Sequence, residues 1–197
     1  DVPGAKQSVI TIGNLGPARN DADFYPAVVM NYKLGGSFNG ELNLVLREEK
    51  GYTYGARSSF TDFGFPAPFM VATSVRSSAT VESVTICRDI MRKYREGISP
   101  ENLEFTKNAM VKANALRFET LRAMISMLEA IGNYNFAKDY VLKEAAIVNN
   151  MNPQEFYRLA QKYIDPENMV YVVAGDAKTQ LEGLKALGYG DPVLITE

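Results

Sequence analysis

The sequence predicts an α+β domain of two layers, a mixed or antiparallel sheet with helices packed on one face. Three observations predict it. Four β-rich runs start near residues 7, 52, 69 and 169, and paired helical patterns separate them. Hydrophobic residues make up 46% of the 197 residues and charged residues 22%, the balance of an ordinary globular chain with enough material for a core. No linker rich in Pro, Gly or Ser divides the chain and no repeat is visible, so residues 1–197 read as a single domain.

The first run, Gln7 to Gly13, is β-branched and closes on Gly13-Asn14 as a buried strand does. Asn20-Asp21-Ala22-Asp23 offers capping carboxylates ahead of a helix with Tyr25, Val28, Val29 and Tyr32 on one face, Pro26 in its first turn and Gly35-Gly36 at its end. A second helix starts at Ser37, buries Leu42, Val45 and Leu46, and stops at Gly51. Tyr52 to Phe60 and Phe69 to Val75 read as a hairpin, with Asp62-Phe63-Gly64-Phe65-Pro66 as an aromatic tip.

From Ser77 or Ser78 to about Glu96 a helix carries Val84, Cys87, Met91 and Tyr94 on one stripe, with Gly97 as its stop. Ser99-Pro100 opens a longer helical span with Leu103, Met110, Leu121, Met124, Leu128 and Ile131, too long to run unbroken; it ends near Gly132-Asn133. Helices over 138–149 and 153–164 follow, the latter opened by Asn152-Pro153-Gln154-Glu155. Met169 to Ala174 is the last strand, and Asp176 caps a short helix with Leu181, Leu184 and Leu187.

Composition excludes several functions. Lys plus Arg count 21 against 23 for Asp plus Glu, a net charge of −2 that offers no footprint for nucleic acid. No stretch reaches the roughly 20 apolar residues that membrane insertion needs. The start, Asp1-Val2-Pro3-Gly4, carries neither methionine nor signal segment and suggests a piece of a longer protein. The chain has no histidine and one cysteine. A Ser or Cys triad therefore lacks its usual base, and a zinc site within the chain lacks its usual ligands. Glu48-Glu49 are adjacent, point about 100° apart on a helix and make no carboxylate dyad. The glycines of Leu34-Gly35-Gly36-Ser37-Phe38 fit neither nucleotide fingerprint and read as a helix–helix turn.

One arrangement is sharper. Leu46-Arg47-Glu48-Glu49-Lys50-Gly51-Tyr52-Thr53-Tyr54 places Arg47 in the last turn of a helix and Tyr54 just inside a strand. A cation stabilises a helix C-terminus by about 0.3–1 kcal/mol and tyrosine suits strands, so the pair can be structural. It can also be functional, a guanidinium and a phenol that hydrogen-bond a peptide carbonyl or a developing oxyanion.

At these residues the chain resembles the insulinase-type zinc metallopeptidases, the family of pitrilysin, insulin-degrading enzyme and mitochondrial processing peptidase. The likeness runs through Pro3-Gly4-Ala5-Lys6-Gln7-Ser8, Ala18-Arg19-Asn20-Asp21, Leu34-Gly35-Gly36-Ser37-Phe38-Asn39, Leu46 to Gly51 with Tyr54, and Val173-Ala174-Gly175-Asp176. Members face homologous domains against each other; one carries His-x-x-Glu-His, absent here. The resemblance implies the non-metal domain of a larger multi-domain peptidase: inactive alone, binding no cofactor, with zinc on a metal-bearing homologous domain or subunit and a peptide as substrate. Arg47 and Tyr54 then match the family's arginine–tyrosine pair that reaches across to the substrate backbone. Tyr52 competes for that role but lacks the spacing. The glycine segment is shorter than the glycine-rich loop of the mitochondrial enzyme, which leaves presequence binding without support. A non-proteolytic scaffold or assembly subunit of the same fold is the alternative. The sequence does not fix a compartment; the resemblance alone points to a bacterial periplasm.

Overall fold

A computed structural model describes residues 1–195. Strand β1 (Gln7–Leu15) is followed by α1 (Phe24–Asn31), which widens into a π-helical turn at Tyr32–Gly36. Helix α2 starts at Glu41–Asn43 and continues with π-helical winding through Leu44–Glu49. Strands β2 (Thr53–Phe60) and β3 (Pro68–Arg76) lead into α3 (Thr80–Tyr94). Helices α4 (Pro100–Leu116), α5 (Leu121–Tyr134), α6 (Tyr140–Asn150) and α7 (Pro153–Tyr163) precede β4 (Val170–Ala174) and α8 (Ala177–Lys185).

The sheet runs β2-β3-β1-β4 with every neighbouring pair antiparallel, so the expected α+β architecture holds and the mixed option drops out. Ile10 lies opposite both Thr73 and Val173. Alternation along the strands then sorts side chains by face. Ile10, Ile12, Val71 and Val75 are buried under the helices, whereas Val9, Met70, Val170 and Val172 face outward and are exposed. Val84, Cys87, Met91 and Tyr94 form the buried stripe of α3 as expected, joined by Phe24 and Met30 of α1 and Phe156 and Leu159 of α7.

Close approach fixes the α1–α2 turn. A Cβ on Gly35 would meet Ser58 Oγ at 2.5 Å and Ser58 N at 2.6 Å, so only glycine lets this turn lie on β2. Gly35 acts by packing against a strand, whereas a Cβ on Gly36 would meet Asn31 at 3.2 Å. Asn31, one turn earlier, donates from Nδ2 to the Ser58 carbonyl at 2.8 Å and accepts from Ser58 Oγ at 2.5 Å.

One expectation is corrected. Asp23 stands at the start of α1 but makes no side-chain cap; its carboxylate accepts from Arg158 Nη2 at 2.6 Å, Lys162 Nζ at 2.7 Å and Tyr163 Oη at 2.9 Å, tying α1 to α7. The long helical span breaks, as expected, between Leu116 and Leu121, and α5 buries none of its described residues. Leu121 and Leu128 are 76% and 67% exposed, because α1, α3 and α7 already cover the inner sheet face. No helix among the described residues is long and apolar enough to cross a membrane.

Gly35→Ala should cost about 1–3 kcal/mol in urea unfolding, since neither Ser58 nor its backbone can yield. Gly132→Ala, where nothing lies near the added methyl, should instead stabilise by up to about 1 kcal/mol. The Arg158 guanidinium, with Lys162 and Tyr163, holds the Asp23 carboxyl well below the usual carboxylate range. That contribution is complete above the unfolded pKa of about 3.9 and is lost as pH falls below it. Unfolding midpoints from pH 6 to pH 2 should therefore drop more steeply for the wild type than for Asp23→Asn.

Candidate functional site

The end of α2 and the start of β2 are built as one unit. Gly51, at φ +62°, stops the helix; its N–H donates to the Arg47 carbonyl at 3.1 Å, and the Tyr52 N–H donates to the Leu46 carbonyl at 2.9 Å. Arg47 is thereby held in the last turn with its side chain partly exposed. Its guanidinium lies 4.7 Å from the centre of the Phe38 ring and 3.5 Å from Glu48 Oε1. The aromatic face limits where the cation can swing. Glu48 and Glu49 are exposed, in line with solvated surface charge.

Strand β2 opens with a bulge. Thr53 pairs with Val75 and Ala56 with Thr73, so three steps on β2 oppose two on β3. Counting back from buried Phe60, Ser58 and Ala56, strict alternation would turn Tyr54 into the core. The extra residue turns it out instead, and Tyr54 is 92% exposed. Thr53 Oγ1 accepts from the Gly55 N–H at 3.0 Å and steadies the bulge.

Tyr52 is committed elsewhere. Its phenol donates to Glu82 Oε2 at 2.7 Å, Lys50 Nζ holds Glu82 Oε1 at 3.0 Å, and Arg76 lies 4.7 Å over the ring. The Glu82 hydrogen bond raises the Tyr52 phenol above its ordinary range and lowers Glu82. Tyr54 is the tyrosine left open to a ligand.

Asn43, which the sequence reading passed over, joins the helix to the strand. It is 3% exposed, donates from Nδ2 to the Phe38 carbonyl at 2.8 Å and accepts at Oδ1 from the Ala56 N–H at 3.2 Å. One amide therefore fixes both the residue under Arg47 and the bulge that aims Tyr54. A polar residue between Leu42 and Leu44 was the available signal. Arg47 and Tyr54 lie at the same end of the sheet and share no hydrogen bond.

The donor set does not fit zinc. The chain has no histidine, Cys87 is fully buried with its thiol pushed up to about 12 by that burial, and no three His, Cys, Asp or Glu among the described residues could hold a metal. The exposed site offers hydrogen-bond donors, suited to carbonyl or carboxylate oxygens. Asn43→Ala should cost about 1–3 kcal/mol in denaturant unfolding, because it orphans the Ala56 N–H and the Phe38 carbonyl. Asn43→Asp, which keeps only the acceptor, should fall between.

Solved structures share this fold. A peptidase M16 inactive domain from Pseudomonas fluorescens superposes with a TM-score of 0.81 at 24% identity, over 88% of this chain and 42% of that one. A protease from Helicobacter pylori gives 0.74 at 14% identity, over 86% and 41%. A chain of complex III2 from Candida albicans gives 0.74 at 12%, over 91% and 45%. This chain thus spans less than half the length of each. No curated protein matches it. The sequence profile described as "Peptidase M16 inactive domain" matches residues 1–110, more than half of the chain, and bears out the family expected from the sequence: this chain belongs to the peptidase M16 inactive-domain family.

Proposed function

We propose that this chain is the non-metal, substrate-binding half of a zinc metalloendopeptidase, completing an active site whose zinc and general base lie on another domain or subunit. Residues 1–197 would then be one domain of a larger peptidase. The observation that carries the reading is Tyr54: a strand tyrosine turned out of the core by a bulge and left 92% exposed, at the sheet end where Phe38 orients Arg47. Membership of an inactive-domain family and the greater length of the matched chains agree with a site shared between halves.

In this reading the metal half supplies the activated water. This chain contributes donors. The phenol of Tyr54 and the guanidinium of Arg47 hydrogen-bond the substrate backbone, and the bonds strengthen where negative charge gathers on a carbonyl oxygen. Neither group takes a proton from water, which is why the domain is inactive alone. The complex III2 likeness supports a second reading, a scaffold that keeps the fold without proteolysis. In a scaffold the exposed Tyr54 has no task.

The test is peptide cleavage by the full-length protein. Arg47→Ala and Tyr54→Phe should each lower kcat by about 10²–10³. The unfolding midpoint of Tyr54→Phe should stay at the wild-type value. Unchanged turnover in both variants sinks the role assignment, and full-length protein that cleaves no peptide with zinc bound favours the scaffold.

A further inference from the structure

The outward face of the sheet is not neutral. None of the four strands contains an aspartate or a glutamate, although the chain has more acidic than basic residues overall. The face carries two arginines, Arg57 and Arg76. They differ in their surroundings. Arg76 lies over Tyr52 and beside the Glu82 that Tyr52 and Lys50 already engage. Arg57 instead lines a shallow groove of about 430 Å³ together with Tyr54, Val9, Ala72 and Ser74, and among the described residues is the only charged one lining it.

The bulge sets the spacing. Ala56 points inward, so Arg57 points out on the same side as Tyr54. Three residues of extended chain separate their Cα atoms by at most about 10 Å, a span that two or three residues of an extended peptide also cover. A peptide whose backbone carbonyl reaches Tyr54 can therefore place a nearby side chain over Arg57. With no carboxylate on the face to neutralise it, the guanidinium attracts an anionic side chain, and its planar fork suits a carboxylate. A lysine or arginine at that point of the peptide is repelled.

We propose that Arg57 binds the carboxylate of an aspartate or glutamate in the peptide substrate, making this groove a subsite that selects acidic residues close to the bond held at Tyr54. The inference rests on the peptide-binding reading of the Arg47 and Tyr54 site and adds a substrate class to it.

The test uses the full-length protein and pairs of fluorescent peptides that differ only by Glu, Gln or Lys at successive positions around the cleaved bond. At one position the wild type should prefer Glu over Lys by about tenfold in kcat/KM, and Arg57→Glu should reverse that order. The preference should shrink as salt rises, since the groove is open to solvent. Anisotropy titration of the Glu and Gln peptides after chelation of the metal gives a readout independent of turnover: the wild type should bind the Glu peptide about fivefold tighter, and Arg57→Gln should bind both alike. Equal affinities in the wild type, or a preference that Arg57→Gln leaves intact, overturn the inference. If these results come with a large loss of turnover in Arg47→Ala, the shared-site reading stands and only the acidic subsite falls. If turnover instead ignores Arg47 and Tyr54 while Arg57→Glu reverses the preference, the groove stands and the transition-state role falls.

Discussion

The seating of the α1–α2 turn on β2 controls the rest of this end of the molecule. Gly35 leaves no room for a methyl against Ser58, and Asn31 closes both hydrogen bonds to that serine. With the turn seated, α2 starts close enough to β2 for the Asn43 side chain to reach the Ala56 N–H, an amide at the edge of the bulge. The helix then has a fixed end, and Arg47 and Phe38 have a fixed relation. A buried amide with both ends satisfied is costly to disturb, so the path from Gly35 to Tyr54 is rigid where a loop would have been soft.

Charged groups do for the helical layer what the turn does for the strand. Glu144 has a side chain only 6% exposed and accepts from Arg19 at 2.7 Å and Arg117 at 2.7 Å. Arg19 also lies 5.0 Å over the Phe24 ring and 4.7 Å over Phe136. The segment after β1, the break after α4 and helix α6 thus meet at one carboxylate. Such a pair earns little net stability once desolvation is counted, but removing one partner strands a buried charge. Together with Asp23, which ties α1 to α7, it fixes which helices cover the inner sheet face.

Much of this was legible in the residues. The α3 stripe, the antiparallel hairpin and the Asn152 cap, where Oδ1 accepts from the Glu155 N–H at 2.9 Å, follow from periodicity and cap chemistry. The family was legible too, because its motifs are spaced glycines, arginines and tyrosines. What escaped reading depends on tertiary partners. Asp23 has the composition of a cap, and only the arrival of α7 shows that Arg158 and Lys162 outbid the helix N–H groups. The α5 stripe has the period of a core helix, yet no sheet surface remains for it. The bulge has one sequence marker, Gly55 inside the strand run, but a plain period-2 reading of Thr53-Tyr54-Gly55-Ala56 puts Tyr54 on the wrong face.

That last failure bears on function. A strand spends its inward positions on the core, and an aromatic ring gains most when buried. Here a ladder step is given up and the ring goes to solvent, against the gain of about 25 cal/mol per Å² that burial offers. Departures of this kind from local economy mark sites where another demand prevails. The groups exposed around the departure, Tyr54, Arg47 and Arg57, all offer hydrogen-bond donors. A surface of donors binds oxygen and orients it; it does not generate a nucleophile. On the proposed shared-site reading, the base therefore lies on a partner surface, whatever the length of polypeptide that joins the two.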